Sequence, residues 1–224
     1  MSSLFKKKSV QLPSPIVAPK PDGTYPDGRE LPHASETKII KLGIIVGHES
    51  RAPGAELATG GNEYKYNSEV AELMAQYAKH ERPEIVCKVI KRDGIGIEGA
   101  YASLEAEKCD AVIELHFNAY NKNMTGTETL CSAASDDSEF AHIIQKAMCQ
   151  VFGRDGQSRG VLAIGRNARG GQSVYAFPKG VNCLVEPFFG DNLSEAKMAL
   201  EKKGPYAKAL VDAVYLWASK KDLV

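Results

Sequence analysis

Several things are missing from this chain of 224 residues. It has no Cys-x-x-Cys pair, and its five cysteines, Cys87, Cys109, Cys131, Cys149 and Cys183, stand singly. An odd, scattered set provides neither a disulfide framework nor a thiolate metal site. Most lie in apolar surroundings, where a thiol acts as a small hydrophobe, and this suits folding in a reducing compartment. No apolar run approaches the ~20 residues that a membrane span needs. Neither sign of charge is in excess: Lys+Arg and Asp+Glu both number 28. That excludes the basic surplus of a general nucleic-acid binder. Lys6-Lys7-Lys8 imitates the start of a signal peptide, but Pro13, Pro15, Pro19 and Pro21 break the stretch where an apolar segment would have to lie. No secretion signal is therefore expected.

What is present is an ordinary globular balance, 43% hydrophobic and 25% charged. Residues 1–37 stand apart and hold six of the eleven prolines. They are expected to form a proline-rich, disordered tail or docking arm, since proline breaks both helix and central strand. Residues 38–224 are expected to form the folded domain. Lys38 to Val46 reads as a strand buried on both faces and ending at Gly47-His48. Glu63 to His80 reads as a helix with the stripe Val70, Leu73, Met74 and Tyr77, stopped by Pro83. Glu63 lies on the inward side of its first turn, one turn from Asn67. A carboxylate facing inward needs a partner.

A second strand is expected over Glu84 to Ile90, a turn at Arg92-Asp93-Gly94, and a helix over Glu98 to Lys108. The run Ala111 to Leu115 then leads into His116-Phe117-Asn118, and its alternation places Val112, Glu114 and His116 on one face. Thr127 to Cys131 comes next as a strand without an intervening helix. Asp136 and Glu139 are spaced as a capping box for a helix closed by Gly153. Residues 154–175 read as loop with at most a short strand at Val161 to Ile164. Val181 to Glu186 is the last strand, and a final helix starts at Pro205 and buries Tyr206, Leu210, Val214 and Trp217. Strands alternating with helices predict an α/β sandwich on a mostly parallel sheet.

Parallel strand ends gather on one edge of such a sheet. Two of them carry His48 and His116, a third carries Glu186, and Glu63 opens a helix. Two histidines and one carboxylate form a common open zinc set, which leaves a second carboxylate free as general base. The residues alone leave open which glutamate does which. His33 in the tail, His80 at a helix end and His142 off its apolar stripe are read as structural.

Five blocks in order carry a resemblance: Ile45-Val46-Gly47-His48, Glu63-x-x-x-Asn67, Glu114-Leu115-His116-Phe117-Asn118-Ala119, Gly126-Thr127-Glu128-Thr129, and Leu184-Val185-Glu186-Pro187-Phe188-Phe189. Together they resemble the zinc-dependent N-acetylmuramoyl-L-alanine amidases of the Amidase_3 family. The resemblance implies a three-layer α/β sandwich with a mixed, mostly parallel sheet and helices on both faces. It implies Zn2+ on His48, Glu63 and His116, with Glu186 as the catalytic glutamate. It also implies peptidoglycan as the substrate, cleaved between N-acetylmuramic acid and L-alanine. Glu114, Asn118 and Asn67 are then candidates to orient the ligands, and Arg166 and Arg169 to hold acidic stem-peptide carboxylates. The chain departs from the family pattern at Glu49-Ser50, where a glycine pair is usual, and at Glu114, where a serine is usual. Only Ser132 to Ser135 stands where some relatives insert an autoinhibitory helix. A phage- or prophage-type endolysin, made in the cytoplasm and acting on the wall after release, is the expectation. A zinc peptidase acting within the stem peptide, or a non-catalytic wall-binding or virion module, is the alternative.

Overall fold

The computed structural model describes residues 38–154 and 159–224. The expectation for residues 1–37 lies outside the described residues. Among the described residues six strands form one sheet: β1 (Ile40–Val46), β2 (Ile85–Lys91), β3 (Ala111–Leu115), β4 (Glu128–Cys131), β5 (Gly160–Ala163) and β6 (Val181–Glu186). Their order is β2-β1-β3-β6-β4-β5. Neighbours from β2 to β6 run parallel, β4 pairs antiparallel with β6, and β5 lies parallel to β4. The sheet is thus mixed and mostly parallel. The consecutive strands on either side of His116 are not neighbours, because β6 lies between them.

The apolar runs of β1, β3 and β6 are continuous because both sheet faces are covered. On one face lie α1 (Glu63–Glu81), α3 (Ser135–Phe152) and α6 (Lys203–Lys220), which bury Val70, Met74, Phe140, Ile144, Leu210 and Trp217 against Leu42, Ile44, Ile113 and Val185. On the other, α2 (Gly96–Ala106) packs Tyr101 and Leu104 with Ile45, Val112 and Phe177. Successive strand side chains alternate between the two cores, as the pleat requires. No described helix is long and apolar enough to cross a membrane.

Three local expectations are corrected. The proposed capping box does not form: α3 starts after Ala134, and Asp136 and Glu139 both face Lys221, at 3.4 and 2.9 Å. Asp137 turns inward instead, accepting from the Asn182 amide at 2.9 Å and from the Ser132 hydroxyl. The last helix begins at Lys203, before Pro205, because proline is tolerated anywhere in a first turn that lacks amide partners. Two short helices were not anticipated, α4 (Gly171–Val174) and α5 (Leu193–Glu201). The signal for α5 was present in Asn192, whose side chain accepts from the amides of Ser194 and Glu195.

The edge carrying the strand ends is braced by aromatics. Phe188, directly beyond β6, stacks on Phe117 at 5.1 Å between centroids and meets Tyr66 edge-on at 5.2 Å. Gly190 sits so close to Phe117 that a Cβ there would lie 2.2 Å from the ring. Backbone pairing continues past the strands, with the Asn118 amide donating to Phe188 O at 2.9 Å. Phe188→Ala is expected to cost about 3–5 kcal/mol of stability, as for a buried aromatic that leaves a cavity. Urea unfolding measures it, and a loss below about 1 kcal/mol would mean that the edge closes without this ring.

Candidate metal centre and active site

Three elements meet at the C-terminal edge of β1, β3 and β6. His48 lies just beyond β1, His116 just beyond β3, and Glu63 is the first residue of α1, capped by Asn62. Glu63 Oε1 lies 2.9 Å from His116 Nδ1, and Oε2 lies 3.1 Å from His48 Nε2. One ligand atom from each of the three residues can be chosen so that all lie within 4.8 Å of one another. Two imidazole nitrogens and a carboxylate oxygen facing one point are the donor set of an open zinc site. The three groups also set one another's protonation. Burial alone would raise the Glu63 carboxyl, but the bonds and charges of His116 and His48 outweigh it and hold it down at about 2. Burial alone would lower His116, but Glu114 and Glu63 raise it to about 10.

Close approach at this point requires glycine. A Cβ at Gly54 would lie 2.5 Å from Glu63 Oε2 and 2.6 Å from His48, and one at Gly47 would lie 2.6 Å from the His116 ring. His48 itself adopts φ 66°, the left-handed region that side chains other than glycine disfavour. Such a conformation persists only where the surroundings enforce it.

Glu114 is fully buried and sits on the far side of His116, with Oε1 3.0 Å from Nε2. It therefore faces the nitrogen turned away from Glu63. The arrangement suits a carboxylate that orients a ligating imidazole rather than one that competes with it. Arg92 Nη1 at 2.8 Å, the Tyr101 hydroxyl at 3.0 Å and the Ser173 side chain are its other partners. Asn67 does not reach the cavity; its Nδ2 donates to Leu115 O at 3.0 Å and pins the end of β3.

Glu186 ends β6 and lines the same cavity of about 330 Å³ as His48, Glu63 and His116. Burial is the main reason that its carboxyl is raised to about 7. Its Oε1 accepts from Arg169 Nη2 at 3.2 Å, while its buried Oε2 has no hydrogen-bond partner. Arg169 also donates to Asn118 Oδ1 at 2.9 Å, and Asn118 donates to Glu128 at 2.8 Å. Arg166 is not brought here: its guanidinium lies over the Tyr175 ring, 5.0 Å from the centroid, in a cavity at the opposite end of the sheet with Asp110 and Asp137. The loop's backbone sends the two arginines to different ends, so Arg166 has no part in this centre.

Sequence reasoning missed Arg92, Tyr101 and Arg159 and gave Glu128 no role. Glu128 is paired with Arg159 at 2.6 Å and lies opposite Glu186 in the sheet register. Its signals were a charge at the start of a short buried strand and its place in the Gly126-Thr127-Glu128-Thr129 block. Beyond it, Leu130, Leu162, Ile164 and Phe189 line a second cavity of about 490 Å³ that shares Ala119 and Arg169 with the first.

Comparison with known proteins places this geometry. The family described as N-acetylmuramoyl-L-alanine amidase matches residues 42–215. No curated protein matches the chain. Among solved structures, the chain is similar to the N-acetylmuramoyl-L-alanine amidase from Clostridium difficile 630, with a TM-score of 0.72 and 21% identity, over 82% of this chain and 99% of that one. It is similar to the catalytic domain of CwlV from Bacillus(Paenibacillus) polymyxa var. colistinus, with a TM-score of 0.70 and 18% identity, over 83% and 100%. It is also similar to the catalytic domain of an endolysin targeting Clostridia Difficile, with a TM-score of 0.64 and 24% identity, over 79% and 97%.

The three donors act on one point, so each is expected to be needed. His48→Ala, Glu63→Ala and His116→Ala should each take up less metal by elemental analysis while keeping their far-ultraviolet circular dichroism. Full occupancy in any one variant removes that residue from the ligand set.

Proposed function

Since the chain belongs to the N-acetylmuramoyl-L-alanine amidase family, we propose that it is a zinc hydrolase using His48, Glu63 and His116 as ligands and Glu186 as its proton carrier. It cuts the amide between the lactyl group of N-acetylmuramic acid and L-alanine. The observation that carries this reading is the pairing of an open three-donor cluster with a buried, unpartnered carboxylate oxygen in one cavity. Zinc at the cluster would supply a Lewis acid that polarises the scissile carbonyl and acidifies a water.

The protein's own groups have separable tasks. Glu114 holds the His116 ring at Nε2, which leaves Nδ1, on the side of Glu63, free to bind a metal, so that the ring's orientation is set before substrate arrives. Glu186 Oε2 takes a proton from the attacking water and returns it to the nitrogen of L-alanine as the C–N bond breaks. The products are a lactyl carboxylate and a free amine. A carboxyl near neutrality suits both halves of that cycle. Asn118 holds Arg169 beside Glu186, and the guanidinium favours the ionised form of the carboxylate. The neighbouring cavity, apolar on Leu130 and Leu162 and edged by Arg159 and Arg169, suits an aliphatic stem peptide bearing carboxylates.

The endolysin assignment is supported by two observations. Only three residues, 132–134, separate β4 from α3, which leaves no inserted helix over the cavity. The likeness to an endolysin catalytic domain points the same way.

Glu186→Gln keeps the shape but cannot accept the proton. It is expected to retain zinc and lose about 10²–10⁴-fold in kcat. Release of lactyl ends from purified sacculi, read by mass spectrometry, measures this. Near-wild-type turnover would move the base elsewhere, and loss of metal would make Glu186 a ligand. Arg169→Met tests the electrostatics. Activity rises with pH as Glu186 ionises, and removing a cation that lowers its pKa moves that limb to higher pH. A kcat–pH profile with an unmoved limb would separate Arg169 from Glu186.

A further inference from the structure

The Arg92-Asp93-Gly94 turn after β2 has no task in the amide hydrolysis itself. It lies beside the centre because β2 and β1 are parallel neighbours, with Lys91 opposite Val46. Its two charged side chains point in opposite directions. Arg92 turns inward and is 7% exposed. Its Nη1 meets Glu114 Oε1 at 2.8 Å, and its Nε faces the His48 carbonyl oxygen at 3.5 Å. Asp93 turns outward. Its Oδ1 accepts from the amide and hydroxyl of Ser50, at 2.8 and 2.5 Å, and its Oδ2 accepts from the Tyr64 hydroxyl at 2.6 Å.

These partners lie within two residues of the three ligands along the chain. Glu114 holds the outer nitrogen of His116. Ser50 stands at the tip of the small turn closed by Glu49 and Ala52, directly after His48. Tyr64 is next to Glu63 on the first turn of α1. One turn of chain therefore reaches all three ligands, and none of its contacts is to a ligand's donor atom.

We infer that the Arg92-Asp93 turn is the positioning device of the His48–Glu63–His116 centre. Arg92 holds it from inside through Glu114 and the His48 carbonyl. Asp93 holds it from outside through Ser50 and Tyr64. This rests on the reading that the centre holds zinc. Two physical arguments favour positioning over bulk stability. The left-handed backbone of His48 requires ties from outside its own segment. A buried ion pair such as Arg92–Glu114 brings little net stability after desolvation, whereas a fixed partner on a ligating imidazole affects metal affinity through orientation. The Ser50 contacts also give a role to the residue that stands where a glycine is usual.

The test uses the full-length protein stripped of metal. Zinc affinity is read by competition with a chromophoric chelator, geometry by the visible spectrum after Co(II) loading, and stability by urea unfolding of the metal-free form. Asp93→Ala removes an exposed carboxylate. Arg92→Met would strand the buried Glu114, so Arg92→Lys, which keeps the charge but not the two-pronged reach, carries the test on that side. Each of Asp93→Ala and Arg92→Lys is expected to weaken zinc binding about 10–100-fold. The Co(II) bands should change, and the metal-free unfolding midpoint should stay near wild type. Asp93→Asn, which keeps an acceptor for Ser50, should recover part of the affinity. Wild-type affinity and an unchanged Co(II) spectrum in both variants overturn the inference. So does weakened binding with unchanged Co(II) bands and an equal fall in metal-free stability, which is the mark of a merely structural contact. A wild-type protein that takes up neither ion overturns the metal reading itself, and that failure is distinct because it precedes any variant.

Discussion

Both oxygens of Glu63 are committed twice. Oε1 accepts from the Phe117 amide at 3.0 Å and faces His116; Oε2 accepts from the Ala55 amide at 3.1 Å and faces His48. One side chain, 3% exposed, thus ties the start of α1 to the loop after β1 and to the end of β3. A carboxylate this deep is costly unless it is paired and hydrogen-bonded, and here every bond it makes also fixes a neighbour of the centre. The glycines at 47 and 54 are a consequence, since any side chain there would enter the space that the carboxylate and the imidazoles share. So is the inward stripe of α1, because the helix must present its first residue to the sheet edge.

The same edge holds carboxylates with opposite behaviour. Burial pushes Glu63, Glu114 and Glu186 up. Glu114, answered by His116 and Arg92, is nonetheless held at about 2, as Glu63 is by its two histidines. Glu186 accepts a hydrogen bond from Arg169 alone, at one oxygen, and burial keeps it at about 7 although the charges of His116 and Arg169 pull it down. Two environments therefore set chemically identical groups apart, two held low and one near neutrality. The exposed guanidinium of Arg169 is the adjustable part of that balance.

The reversal of β4 has a consequence for recognition. Running against β6, β4 starts at the edge where the other strands end, so that Glu128 pairs across the sheet with Glu186. Arg159, just ahead of β5, answers Glu128, and Arg169 approaches it at 3.6 Å. An all-parallel sheet would place the start of β4 at the far edge. The cavity next to the active site would then lack its charged rim.

Much of the framework could be read along the chain. The apolar runs of β1, β3 and β6 are local patterns, and each ends in a residue of the centre, His48, His116 or Glu186. The stripe of α1 likewise pointed Glu63 inward before any partner was known. Where the reading stopped, the cause was sequence distance. Arg166 and Arg169 belong to one Gly-rich loop and look alike, yet one lies over Tyr175 and the other reaches Glu186. Arg92 reads only as part of a turn and is in fact buried against Glu114. Asp136 and Glu139 have capping-box spacing, but Lys221 draws both away. The long strands and helices were legible locally, because burial periodicity is a property of neighbouring residues, whereas the short α4 and α5 were not. Which charges meet depends on the strand order β2-β1-β3-β6-β4-β5, which brings together side chains that no local pattern relates.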